Sequence, residues 1–116
     1  MGTLREAILS TDDRKKEIVE VEEWGQPVGV RSLSGKERAQ IMKLTVDKKG
    51  NVDTEKLYSI LLIKALYDPE TDEPIFTDED AEALLDKNAA ILEKLGQVAF
   101  RLSGFGEQAL VNAEKN

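Results

Sequence analysis

A chain of 116 residues with 16 Lys and Arg against 23 Asp and Glu, a net charge of −7, has the size of one domain with one hydrophobic core, burying roughly 60–70% of its unfolded surface. The acidic residues are spread along the chain, and such a field repels phosphate backbones and anionic lipid, so neither nucleic acid nor membrane is an expected partner. With no cysteine and no histidine, disulfides, Cys-rich zinc sites, thiol catalysis and the commonest general base are excluded. The longest apolar run, Ile60 to Ile63, falls far short of the ~20 residues that cross a bilayer, and no apolar signal segment follows Met1. The expectation is a soluble, unexported binding domain in the α+β class, mainly α, with an N-terminal β-hairpin followed by four to five helices.

Thr3-Leu4-Arg5-Glu6 has capping-box spacing and predicts a short helix from Leu4 to Leu9, stopped by Ser10-Thr11-Asp12-Asp13. Arg14-Lys15-Lys16 is the nearest approach to a basic patch, and Glu17 follows it at once. From Lys16 the pattern alternates: Ile18, Val19 and Val21 interleave with Glu17, Glu20 and Glu22, and after Trp24-Gly25-Gln26-Pro27 the apolar residues Val28, Val30 and Leu33 resume near strand spacing. This predicts an antiparallel hairpin, with Pro27 at the turn or strand start because it lacks an amide donor.

Ser34-Gly35-Lys36-Glu37 is a second capping box, opening a helix through about Val46 that Lys48-Lys49-Gly50-Asn51 ends. Asp53 or Thr54 caps the next helix, in which Leu57, Tyr58, Ile60 to Ile63 and Ala65 to Tyr67 leave almost no polar face, marking it as the central core element. Asp68 to Pro74 reads as a rigid acidic loop, with Ile75-Phe76 anchoring its exit to the core. Thr77-Asp78-Glu79-Asp80 caps a helix carrying Ala81, Leu84 and Leu85, and Asp86-Lys87-Asn88 interrupts it. Ile91, Leu95, Val98 and Leu102 then step by four, three and four along one apolar stripe that stops at Ser103-Gly104. A short helix through 108–114 is expected within a C-terminal tail, 105–116, of the single unit 1–116.

No chemistry-bearing constellation stands out. Asp68, Glu70, Asp72, Ile75 and Glu79 fall at EF-hand positions one, three, five, eight and twelve, but Glu73 occupies the place that needs glycine, and Pro69 and Pro74 stiffen backbone that must wrap the ion. Ser34-Gly35-Lys36 lacks the upstream glycine of a P-loop, and Glu37 occupies the free amides, so capping explains it. The carboxylate pairs Asp78/Asp80 and Glu22/Glu23 read as a solvated face. No catalytic residue, cofactor site or metal site is assigned. Trp24, alone of its kind, either caps the core edge or presents a contact surface, with core packing favoured. The stripe ending at Leu102 reads as core before it reads as a docking face or coiled-coil seam between self-associating copies. Phe105 and Leu110, beyond the Ser103-Gly104 break, are harder to bury and become candidate partner contacts with Trp24 and Leu102.

Glu22-Glu23-Trp24-Gly25, the run from Val28 through Arg38, the helix from Leu57 to Leu66, Phe76 to Asp80 and Leu102-Ser103-Gly104, in this order and spacing, resemble the tail assembly chaperones of long-tailed phages and related prophages, over about Ile18 to the C-terminus. The resemblance implies a non-enzymatic protein of the host bacterial cytoplasm, absent from the mature virion, that coats the tape measure protein until tail tube subunits polymerise around it. It also implies a longer form made by ribosomal frameshifting, with Glu114-Lys115-Asn116 a suitable place for a slippery codon run, whose extension recruits the major tail tube protein. The competing expectations are a structural tail subunit, such as a terminator or connector, and a calcium-responsive module built on the acidic loop.

Overall fold

The computed structural model describes residues 2–104. Helix α1 (Leu4–Ser10) starts where Thr3 Oγ1 accepts a hydrogen bond from Glu6 N at 3.2 Å, and it contains no buried residue. Strands β1 (Lys16–Val21) and β2 (Gln26–Arg31) pair antiparallel from Lys16 opposite Arg31 to Val21 opposite Gln26. A 3₁₀ turn, Glu22–Trp24, joins them, and Gly25 closes it at φ 67°, a left-handed conformation that glycine adopts without a Cβ penalty. Val19, Val21, Val28 and Val30 point their side chains into the core.

Helix α2 (Gly35–Thr45) begins with the expected reciprocal cap: Ser34 Oγ accepts from Glu37 N at 3.1 Å, and Glu37 Oε1 accepts from Ser34 N at 2.9 Å. Arg14 adds an ion pair to the same Glu37 oxygen at 3.3 Å, fastening the approach to β1 onto the start of α2. Helix α3 (Thr54–Ala65), capped by Asp53, is the central element, with Leu61, Leu62 and Ala65 fully buried and Leu57 and Ile63 nearly so.

Contrary to the helical pattern, α3 does not run on through Leu66 and Tyr67. These two residues form β3 (Leu66–Tyr67), which pairs antiparallel with β2 through Gly29 opposite Tyr67 and Val30 opposite Leu66, giving a three-stranded sheet in the order β1-β2-β3. Leu66 is fully buried, so the change of backbone keeps it in the core while the sheet gains an edge. The Tyr67 ring lies across Gly29, where an added Cβ would run into its ring carbons. The far side of β3 is closed by the returning loop, through a bridge between Tyr67 and Pro74 and a bond from Ile75 N to Leu66 O.

A 3₁₀ turn at Asp78–Asp80 leads into the short α4 (Ala81–Leu85), so the segment capped by Thr77 enters more tightly than a regular helix. Asn88 caps α5 (Ala89–Leu102), which lays Ile91, Leu92, Leu95, Ala99 and Phe100 on the core against α3 and the sheet. Val98 and Leu102, assigned to the stripe by spacing, are half-buried at its margin. The expected helix at 108–114 lies outside the described residues.

Candidate functional site

Trp24 is held at the turn end of the hairpin by its 3₁₀ turn, in which Gly25 N donates to Val21 O at 3.1 Å and to Glu22 O at 3.0 Å. Phe76 reaches the same place from the loop after β3, positioned by the bridge at Pro74 and by Asp80, whose Oδ2 accepts from Thr77 N at 2.8 Å. Both rings are half-buried, and both line two adjacent hollows. One, about 420 Å³, is lined by Pro27, Val28, Pro69 and Ile75 together with Gln26, Asp68 and Glu70. The other, about 370 Å³, is formed with Ala83 and Leu84 and rimmed by Glu23, Asp80 and Lys87. The two make an apolar groove divided by an aromatic pair, with four carboxylates and one ammonium at its edge.

This arrangement suits a segment that carries an apolar anchor flanked by basic residues. Rigid aromatics supply contact area at low entropic cost, and the carboxylates steer and orient the approach of opposite charge. The groove's titratable side chains are these four carboxylates and Lys87, and the chain contains no histidine or cysteine.

The acidic loop folds on itself. Asp68 Oδ1 accepts from Glu70 N at 2.8 Å, Asp68 N donates to Glu73 O at 2.8 Å, and Asp72, at φ 64°, presents its carboxylate to Lys16 at 3.1 Å. Among the described residues no group of three or more His, Cys, Asp or Glu side chains is placed to hold a metal ion. Of the basic run that leads into β1, Arg14 pairs with Glu37 and Lys16 with Asp12 and Asp72.

Of the residues singled out by sequence, Trp24 sits in the groove and Leu102 does not. Leu102 is half-buried at the C-terminal end of α5, next to Ser103, whose Oγ accepts from Leu33 N at 2.8 Å. That is the other end of the hairpin, about 20 Å from the turn at strand rise. Phe105 and Leu110 lie outside the described residues. Phe76, Pro27 and Pro69, which line the groove beside Trp24, were not singled out by sequence; Pro69 and Phe76 bracket the acidic loop, and Pro27 belongs to the hairpin.

The sequence profile described as phage tail assembly chaperone matches residues 3–116, and the chain belongs to that family. The fold is similar to the solved structure of the bacteriophage HK97 tail assembly chaperone, with TM-score 0.64 and 22% sequence identity over 86% of this chain and 91% of that one. A comparison with curated protein sequences gives no match. No helix among the described residues is long and apolar enough to cross a membrane.

Proposed function

We propose that this chain is a non-catalytic chaperone of phage tail assembly that binds the tape measure protein in the host cytoplasm and keeps it soluble until the tail tube forms around it. Family membership across residues 3–116 carries this reading. A tape measure protein presents long apolar helical stripes that aggregate alone, and a small acidic partner masks them reversibly while net charge −7 keeps the coated rod soluble. The Trp24–Phe76 groove supports it as the contact, because an apolar trough with an acidic rim complements an amphipathic segment bearing Lys or Arg. Residues 1–116 act in this reading as one chaperone unit, and a frameshifted longer form, extended near Lys115, recruits the tail tube protein.

Co-expression with the candidate tape measure protein, followed by size-exclusion chromatography of the soluble fraction, tests the proposal. The expected result is a soluble complex that forms only when both chains are present. A tape measure protein that stays insoluble while this chain elutes alone overturns it.

A further inference from the structure

The Trp24–Phe76 groove differs from one end to the other. Trp24 and Phe76 are the two side chains common to both hollows, so a group that enters one is separated by this aromatic layer from a group that enters the other. The larger hollow has the carboxylates of Asp68 and Glu70 in its wall and no cation, whereas the smaller has Lys87 beside Glu23 and Asp80. Asp68 is engaged within its own loop, its Oδ1 accepting from Glu70 N at 2.8 Å, and Asp80 Oδ2 accepts from Thr77 N at 2.8 Å. Glu70 at one end and Lys87 at the other are exposed and have no ion pair among the described residues. Glu23 shares the Lys87 end, so the charge of the groove runs from wholly acidic at the larger hollow to mixed at the smaller.

The aromatic layer also fixes a spacing. Atoms on its two sides, each at a carbon contact distance of about 3.5–4.0 Å, stand about 7–8 Å apart. Side chains at i and i+4 of a helix leave Cβ atoms about 5–6 Å apart on one face and splay to that separation at their tips. Those at i and i+7 lie about 10.5 Å apart along the axis and overshoot it, while those at i and i+2 do not share a face. An extended segment is poorly served at this place. Ile75, which lines the larger hollow, closes the outer edge of β3 together with Pro74, so a strand finds no backbone ladder to join there, whereas a helix brings its own hydrogen bonds.

On the reading that this groove receives the tape measure protein, we infer that it selects a two-anchor helical segment with a charge at each end. Apolar side chains at i and i+4 straddle the Trp24–Phe76 pair, a Lys or Arg beside one anchor meets Glu70 at the larger hollow, and an Asp or Glu beside the other meets Lys87. The anchors supply the affinity, and the two charges set which way along the groove the helix lies. The chaperone then does not coat its partner uniformly. It settles where this pattern occurs, one copy to each occurrence, and the repeat of the pattern along the partner sets how many copies bind.

Trp24 emission, titrated with tryptophan-free synthetic helices, tests the spacing and the polarity. The reference peptide is alanine-rich, with leucine at i and i+4, lysine flanking the first leucine and glutamate flanking the second. Moving the second leucine to i+2 or i+7 leaves one anchor outside the groove and is expected to weaken binding at least about tenfold. Glu70→Lys and Lys87→Glu should each weaken the reference peptide about two- to fivefold, and the double variant should recover most of the loss, because the helix then lies the other way round. A peptide with the same leucines and no charges should respond to none of the three variants. Both positions are exposed, and an unchanged melting temperature confirms that the variants fold. Equal binding of the i+2 or i+7 peptide, or variants that act alike on the charged and uncharged peptides, overturns the inference. So does a reference peptide that leaves Trp24 emission unmoved while the tape measure protein still co-elutes with the chain. Failure of that co-elution is the separate result that overturns the chaperone reading.

Discussion

Helices α1 and α3 begin alike and end up in opposite environments. Each opens on a side-chain cap, Thr3 to Glu6 N and Asp53 to Lys56 N, and each carries leucine and isoleucine. Yet Leu61 and Leu62 of α3 are fully buried, while Leu4, Ile8 and Leu9 of α1 are 78%, 60% and 68% exposed. Local capping therefore decides where a helix starts, and only the partner across the core decides what its apolar side chains contribute. A short helix that buries none of its residues is marginal in water, whereas α3 is held on several sides by α2, α4 and α5.

The largest effect that would break this contrast is in the core. Leu61→Ala is expected to cost about 2–5 kcal/mol in urea denaturation, because its neighbours are too constrained to fill the cavity. Leu4→Ala combined with Ile8→Ala should change stability by less than about 0.5 kcal/mol. Comparable losses in the two helices would contradict the contrast.

Gly29→Ala comes next, at about 1–3 kcal/mol, since the new methyl meets the Tyr67 ring and must push β3 away. In a Tyr67→Ala background the same substitution should lose most of its effect, which a double-mutant cycle measures. The caps follow. Ser34→Ala removes one half of a reciprocal cap that is also tied to Arg14, and should cost about 1 kcal/mol of global stability. Thr3→Ala should leave the melting temperature unchanged and only speed amide exchange within α1, because fraying α1 exposes no core.

The smallest effect concerns pH. The Arg14 backbone amide, and then the charge of Lys16, hold the Asp12 carboxyl below its ordinary 3.8, so the stability it contributes is present above 3.8 and is lost as pH falls through its folded value. Hydrogen bonding to Asp72 raises Lys16 above 10.5, so its contribution is present below 10.5 and is lost as pH rises through the folded value. Both groups are exposed. Asp12→Asn should therefore flatten only the acid limb of a melting-temperature profile, and a change confined to the neutral range would contradict the assignment.

Much of the fold was legible in the sequence because caps and turns are local. Thr3, Ser34 and Asp53 each announce a helix start within four residues, and the β1–β2 alternation shows a face to the core, whereas Asn88, read only as an interruption, proves to cap α5. Leu66 and Tyr67 were not legible, since they extend the apolar run of α3 and their strand character exists only through pairing with Gly29 and Val30, far back in the chain. Gly29, between two valines in a strand, was the overlooked signal of a close approach. The groove was half legible for the same reason. Trp24 announces itself by type, but Phe76 joins it only after β3 has turned the chain back beside the hairpin.

The central claim, that the acidic-rimmed groove receives the partner, is tested most directly by the emission of Trp24, the chain's own and sole tryptophan reporter. The titrant is a tryptophan-free tape measure segment bearing an apolar stripe and lysines. The account predicts a blue shift on binding that Glu70→Lys weakens without changing the melting temperature, because Glu70 is exposed on the rim. Binding that leaves Trp24 emission unmoved, and that Glu70→Lys does not affect, would place the contact elsewhere on the molecule and contradict the account.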